Sequence, residues 1–329
     1  MSSSYQSERK RLLQSFAAIS NDNDFWQLAK EIHEFQLKYN EVFKNYNHHI
    51  SDHLGQLAFS FLPISFFKQE AIKTGDWEEE TIFTSSGTTG VQSQHFVRDK
   101  EAYLRNTERI FHHSYGPLKG YTFLCLLPSY LERTGSSLIA MSEHFINCSD
   151  DHRSEFYLYD HEKLYSTILD LKKEEKPTIL LGVSYALLDF TEKYAVNWPD
   201  LIVIKTGGMK GRRKEMNSQE LDHILEKSLG VRSIHAEYGM TECFSQLYSH
   251  NGTSYFLNHH MKVIITDLSD PFHQLPKGKS GRINLVDLAN IDTCAFIATD
   301  DVGHFNENGE LVVLGRVDNS DLRGCNLLL

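Results

Sequence analysis

The segment Phe83-Thr84-Ser85-Ser86-Gly87-Thr88-Thr89-Gly90 is built almost entirely of small hydroxyl side chains and glycine. A stretch of this kind has almost nothing to bury. It offers backbone N–H groups and hydroxyls that can close around phosphate oxygens, with Gly87 and Gly90 allowing close approach. A plain flexible connection is the alternative that composition alone leaves open. Four further segments place small or charged residues where an apolar run ends: Thr206-Gly207-Gly208-Met209, Glu237-Tyr238-Gly239-Met240-Thr241-Glu242, Ala298-Thr299-Asp300-Asp301-Val302-Gly303 and Gly315-Arg316-Val317-Asp318-Asn319. Together they hold the parts of a nucleotide site. Gly207 and Gly208 let a flat ring lie against backbone, and Tyr238 offers an aromatic face for adenine. Glu242 suits a hard cation, because Mg²⁺ takes one or two carboxylates beside phosphate oxygens. Asp301 can accept from ribose hydroxyls, and Arg316 can neutralise phosphate charge. Taken singly, Tyr238 reads equally as core, Asp301 as a turn former and Arg316 as a surface pair.

These segments need a scaffold. Residues 5 to 50 are predicted helical, with Phe25, Leu28, Ile32, Phe35, Tyr39, Val42 and Tyr46 forming one apolar stripe. Strands are predicted at Tyr121–Leu127, Thr178–Leu181, Leu201–Thr206 and Ser233–Tyr238, and helices at 99–114, 134–146, 161–174, 184–195 and 216–229. The last helix starts at Ser218 and stops at Gly230, both ordinary capping residues. Such alternation implies a mainly parallel sheet flanked by helices, whose strand ends gather ligands. After residue 250 the strands Met261–Asp267, Gly281–Leu288, Ala295–Thr299 and Leu311–Gly315 predict a β-rich subdomain. The expected organisation is one domain: a helical segment 1–70, an α/β core 71–250, the β-rich part 251–314 and a hinge-like tail 315–329.

The chain has 329 residues and a formal charge of −11, which disfavours nucleic acid as a partner. Lys210-Gly211-Arg212-Arg213-Lys214 is its one basic cluster and reads as a solvated loop or an anion contact. Five scattered cysteines without a CxxC pair predict neither a disulfide framework nor a zinc ribbon. The seventeen histidines, including His48-His49, His112-His113 and His259-His260, lack an HExxH spacing, so no structural metal is expected. No signal-peptide core or apolar run of membrane-spanning length is visible, and a cytoplasmic protein is expected.

From about Leu62 to Cys325 the chain resembles the adenylate-forming superfamily of acyl ligases. The matching motifs run in order: TSSGTTG at 84–90, YGMTE at 238–242, TDDVG at 299–303 and GRVDN at 315–319. Within it the chain looks most like the acyl-protein synthetase, or LuxE-like, branch. That narrower likeness rests on Leu62-Pro63-Ile64-Ser65-Phe66-Phe67-Lys68, on residues 127–138 and on Arg323-Gly324-Cys325-Asn326; phenylacetate–CoA ligases are next nearest. The resemblance implies the superfamily's large-domain fold, with ATP and Mg²⁺ as cofactors. Thr84, Ser85, Ser86, Gly87, Thr88, Thr89 and Gly90 would hold the phosphates. Gly207, Gly208, Tyr238, Gly239, Met240, Thr241 and Asp301 would hold the nucleoside, and Glu242 the metal. Two departures stand out. Gly90 is followed by Val91-Gln92-Ser93-Gln94-His95 and not by a lysine, so phosphate charge would fall to Mg²⁺, Arg98 or Arg316. The sequence given stops ten residues after Asn319, so the C-terminal lid of acyl-CoA ligases is expected to be absent.

The chemistry implied is attack of a carboxylate on the α-phosphorus of ATP, giving an acyl-AMP with a good leaving group. Without a lid to admit CoA, the acyl group would pass to a thiol of the chain. The resemblance places that thiol at Cys325, with Arg323 favouring thiolate; Cys243 is the second candidate, and Cys125, Cys294 and Cys148 carry no such mark. A partner such as a reductase or acyltransferase would then accept the acyl group. The resemblance makes a long-chain fatty acid the expected substrate. A lid-less phenylacetate-type CoA ligase and a non-catalytic nucleotide-binding scaffold are the alternative readings.

Overall fold

In the computed structural model, residues 3–55, 57–85, 91–128, 135–207 and 216–316 are described. They form two compact units. One combines the chain up to Trp77 with the chain from Leu257 onward, and the other is Glu78–Phe256.

In the first unit the helices Ser3–Ala17, Asp22–Tyr39 and Glu41–Ile50 accompany an antiparallel sheet. Asn21 starts the second helix by accepting from the Asp24 amide at 3.0 Å, with Asp22 and Asp24 in the positive first turn. Its buried stripe is Phe25, Leu28, Ala29, Ile32, Phe35 and Gln36. The continuous stripe expected through Val42 and Tyr46 does not persist, because Asn40 ends one helix and caps the next. Its side chain accepts from the Phe43 amide at 3.0 Å and donates to the Thr293 carbonyl at 2.9 Å. The break turns the third helix, and Phe43 becomes its buried residue. Gln36 adds a second buried polar tie: it donates to the Asn290 carbonyl at 2.8 Å and accepts from the Ala295 amide at 3.0 Å. These bonds satisfy buried amides that would otherwise destabilise the helix–sheet contact. Phe43, Phe59, Phe61 and His33 surround Phe296 on the sheet.

That sheet runs Met261–Thr266, Gly281–Asp287, Phe296–Phe305, Leu311–Arg316 as successive antiparallel neighbours, and Leu62–Pro63 pairs in parallel with Phe296–Phe305. The strand expected at Ala295–Thr299 is longer than the sequence indicated. Residues 299–303 lie within it and not in a loop after it: Asp301 pairs with Arg316, and Val302 and Gly303 are paired on both sides. Gly303 fits that position because a Cβ there would come within 2.4 Å of the Val312 carbonyl oxygen.

The second unit centres on a six-stranded sheet ordered Glu155–Phe156, Thr122–Leu126, Thr178–Val183, Ile202–Thr206, Ile234–Tyr238, Leu247–Ser249. All neighbours are parallel except the last pair. The inner strands are nearly continuous buried apolar runs, as a sheet covered on both faces requires. The helices Lys100–Tyr115, Ser137–Cys148, His161–Lys173, Ser184–Thr191 and Ser218–Leu229 occupy the gaps between strands where helices were expected, the fourth ending before the expected 195. Asn217 caps the last of these, one residue before the expected Ser218. Gly230 ends it in the left-handed region at φ 63°. A separate hairpin, Thr81–Thr84 with Gln94–Val97, brackets the hydroxyl-rich segment.

Candidate active site

Because the inner strands of the second unit are parallel, their carboxyl ends open on one edge of the sheet. Val183, Thr206 and Glu237 are consecutive register partners across three strands at that edge. Gly207 follows in the left-handed region at φ 62°, and its carbonyl accepts from the Ser184 hydroxyl at 2.7 Å. Thr206 donates through Oγ1 to Glu237 Oε2 at 2.5 Å, tying the Thr206-Gly207 turn to the strand that leads into Tyr238. Gly239 lies so close to this carboxylate that a Cβ would meet Glu237 Oε1 at 2.4 Å. Burial pushes the Glu237 carboxyl up to about 7, with the Thr206 hydroxyl acting in the opposite direction.

The hydroxyl-rich segment is joined to the same loop. Ser85 closes the mouth of its hairpin, donating from its amide to the Ser93 carbonyl at 3.0 Å and accepting from the Ser93 amide at 2.9 Å. Thr84 donates its amide to the Gly135 carbonyl at 2.7 Å. Gly135 has φ 82°, and a Cβ there would sit 2.7 Å from the Ile82 carbonyl oxygen, so this clasp needs glycine. On the other side of the hairpin, buried His95 donates from Nδ1 to the Thr241 carbonyl at 2.7 Å. A carbonyl only accepts, so Nδ1 carries the proton. Phe244 packs edge-on against His95 and Tyr103, and Asn106 donates to the Phe244 carbonyl at 2.9 Å. Two segments more than a hundred residues apart are thus held together by hydrogen bonds and aromatic contacts.

Thr84 and Ser85 therefore lie in the unit that carries Gly207, Tyr238, Gly239, Met240, Thr241 and Glu242. Tyr238 ends its strand with its ring 5.7 Å from that of Tyr255. Glu242 is only 5% exposed, in the turn closed by the Cys243 amide donating to the Met240 carbonyl at 3.0 Å. Its carboxylate is the kind of hard oxygen donor that Mg²⁺ takes beside phosphate oxygens. Asp301 and Arg316 belong to the other unit, where they are register partners. Arg316 donates through Nε to Asp301 Oδ1 at 3.2 Å, leaving the Arg316 side chain exposed and Asp301 buried. Ser86, Gly87, Thr88, Thr89, Gly90, Gly208 and Cys325 lie outside the described residues.

Three residues emerge here that sequence reasoning gave no role: Glu237, His95 and Gly135. Each was in view within a quoted motif or beside one. Their partners, Thr206, Thr241 and Thr84, are distant in sequence, so no local pattern announced them. Behind the edge, Lys205 alternates away from Thr206 and forms a buried ion pair with Asp222, also donating to Ser218 Oγ at 2.7 Å. Burial lowers the Lys205 pKa and raises that of Asp222, and their bond opposes both shifts.

A parallel sheet with crossover helices, a hydroxyl-rich hairpin loop and a β-rich second unit define the large-domain fold of adenylate-forming ligases. The chain is similar to ATP-bound MatB from Rhodopseudomonas palustris, with a TM-score of 0.53 at 18% identity over 71% of this chain and 47% of that one. It is similar to a long-chain-fatty-acid–CoA ligase from Archaeoglobus fulgidus, with a TM-score of 0.52 at 15% identity over 72% and 51%. Against 2-hydroxyisobutyryl-CoA ligase in the postadenylation state with 2-HIB-AMP, the TM-score is 0.65 at 12% identity over 91% and 68%. The chain spans about half the length of the first of these structures, 47%. No curated protein matches it. The profile of the acyl-protein synthetase LuxE family matches residues 135–329. The chain belongs to that family.

Proposed function

We propose that this protein activates a carboxylic acid with ATP and passes the acyl group through a cysteine thioester to a partner protein. In the first half-reaction a carboxylate oxygen attacks the α-phosphorus, and pyrophosphate leaves. In the second a thiolate sulfur attacks the acyl carbon, and AMP leaves with the bonding electrons. The chain's part is to hold two anions in line and offset their repulsion. Thr84, Ser85, Ser86, Thr88 and Thr89, with Gly87 and Gly90, would grip the phosphates. Gly207, Gly208, Gly239, Met240 and Thr241 would line the nucleoside, Tyr238 would stack on adenine and Asp301 would accept from the ribose. Glu242 would hold Mg²⁺, which when bound neutralises phosphate charge, and Arg316 would add a second cation.

The observation that carries this reading is family membership in a chain whose hydroxyl-rich hairpin is bonded, through His95 and Thr241, to the YGMTE turn. The burial of three of the other four thiols supports Cys325 as acyl carrier; Cys148 is half-buried. Cys125 and Cys294 are enclosed, with burial pushing each up to about 12, and Cys243 is buried behind Glu242. A long-chain fatty acid fits the family resemblance. Among the described residues no helix is long and apolar enough to cross a membrane.

The test is incubation with ATP, Mg²⁺ and radiolabelled fatty acids of graded length. The expected result is acid-dependent ATP–pyrophosphate exchange and a hydroxylamine-labile protein adduct that Cys325→Ser abolishes and Cys243→Ser leaves. The solved neighbours that are CoA ligases favour a second reading. In that case CoA would consume the adenylate and Cys325→Ser would change little. Absence of exchange with every acid would leave a nucleotide-binding scaffold.

A further inference from the structure

Away from the nucleotide edge, two helices bring together a set of side chains that the sequence keeps apart. Glu108 and His112 lie one turn apart on the helix Lys100–Tyr115, and His144 and Cys148 lie one turn apart on the helix Ser137–Cys148. Residues four apart share a helix face. His144 donates through Nε2 to Glu108 Oε2 at 2.9 Å, and the same nitrogen is 3.8 Å from Cys148 Sγ. His112 Nε2 is 4.0 Å from the second carboxylate oxygen, Oε1. One ligand atom from each of Glu108, His144 and Cys148 can be chosen so that all lie within 4.8 Å of one another.

These separations are those of a coordination shell. Zinc bonds of about 2.3 Å to sulfur and about 2.0–2.1 Å to nitrogen or oxygen, at a tetrahedral angle, place sulfur about 3.6 Å from nitrogen and nitrogen about 3.4 Å from oxygen. The observed 3.8 and 2.9 Å each differ from these by no more than about half an ångström. The Glu108, His144 and Cys148 side chains are half-buried, which leaves an entry path.

We propose that Glu108, His144 and Cys148 form a zinc-class transition-metal site that staples these two helices, with solvent completing the shell. A thiolate, an imidazole and a carboxylate are a donor set for Zn²⁺, not for Mg²⁺ or Ca²⁺. On binding, the metal displaces the His144–Glu108 hydrogen bond and the Cys148 thiol proton goes to solvent, so affinity rises with pH. The site is structural. Ser149, next to Cys148, donates its hydroxyl to the Tyr121 carbonyl at 2.7 Å, at the amino end of the strand Thr122–Leu126. The candidate nucleotide loops lie at the carboxyl end.

The experiment is a Co²⁺ titration of the reduced, chelator-stripped full chain, followed by Zn²⁺ competition. One equivalent should bind, with a thiolate-to-cobalt charge-transfer band in the near-ultraviolet and intense tetrahedral bands in the visible. Cys148→Ser should abolish the charge-transfer band, His144→Gln should weaken binding at least tenfold, and Cys325→Ser should leave both unchanged. X-ray absorption of the zinc form of the unmodified chain gives an independent reading, with one sulfur and three nitrogen or oxygen neighbours expected. The proposal is overturned if the unmodified chain shows no sulfur ligand, or if the charge-transfer band survives Cys148→Ser.

Discussion

Replacing Glu237 by Gln tests whether a half-buried, desolvated carboxyl under the Tyr238 loop governs stability near neutral pH. The Glu237 carboxyl stands at about 7 against an ordinary 4.5. At 1.36 kcal/mol per pKa unit, that difference penalises the ionised form by about 3 kcal/mol. The folded chain holds this proton between pH 4.5 and 7 and the unfolded chain does not. Stability from this group is therefore full below pH 4.5, falls as pH rises through the window, and is lost above about 7. Gln cannot titrate. It still accepts from the Thr206 hydroxyl, but its amide protons lack the carboxyl's partners, at a cost of about 1 kcal/mol or more at every pH. The expected result is a stability difference, variant minus parent, that rises by about 3 kcal/mol between pH 5 and pH 8. Urea denaturation of both proteins at pH 5, 6, 7 and 8, read by linear extrapolation, measures it. The difference matters more than either curve. His33 and His235, lowered to about 4 by burial, withdraw stability as pH falls below 6.5 and act with the opposite sign. A difference that stays flat from pH 5 to pH 8 would refute the argument that burial holds Glu237 protonated.

Asp222→Asn should destabilise the chain by about 3–5 kcal/mol at pH 7, because it strands the buried Lys205 ammonium. The double variant Lys205→Met with Asp222→Leu should recover most of that loss, and equal stabilities of the single and double variants would contradict the assignment. Gly135→Ala should cost about 1–3 kcal/mol, since φ is 82° and the new Cβ meets the Ile82 carbonyl oxygen. Under the proposed function it should also reduce ATP–pyrophosphate exchange at least tenfold by loosening the Thr84 clasp, which thermal melting and exchange assays would read separately.

What the amino-acid order fixes here is local. Apolar runs located the strands Thr122–Leu126 and Ile202–Thr206, the gaps between strands located the helices Lys100–Tyr115 and His161–Lys173, and capping residues bounded Ser218–Leu229. A backbone segment's own side chains decide those patterns. The resemblance in Thr84-Ser85 and Tyr238-Gly239-Met240-Thr241-Glu242 was legible for the same reason: each motif is contiguous. Pairings across the sequence were not. His95 meets Thr241, Thr206 meets Glu237, and His144 meets Glu108 only after the sheet order and helix packing are set. The same holds for Asn40, whose buried bonds to Phe43 and Thr293 interrupt a stripe that periodicity carried straight through. Asp301, read in sequence as a ribose acceptor after a strand, lies inside a strand as the register partner of Arg316. Hydrogen-bond satisfaction and burial are properties of neighbours in space, and one chain read in order does not reveal which neighbours those are.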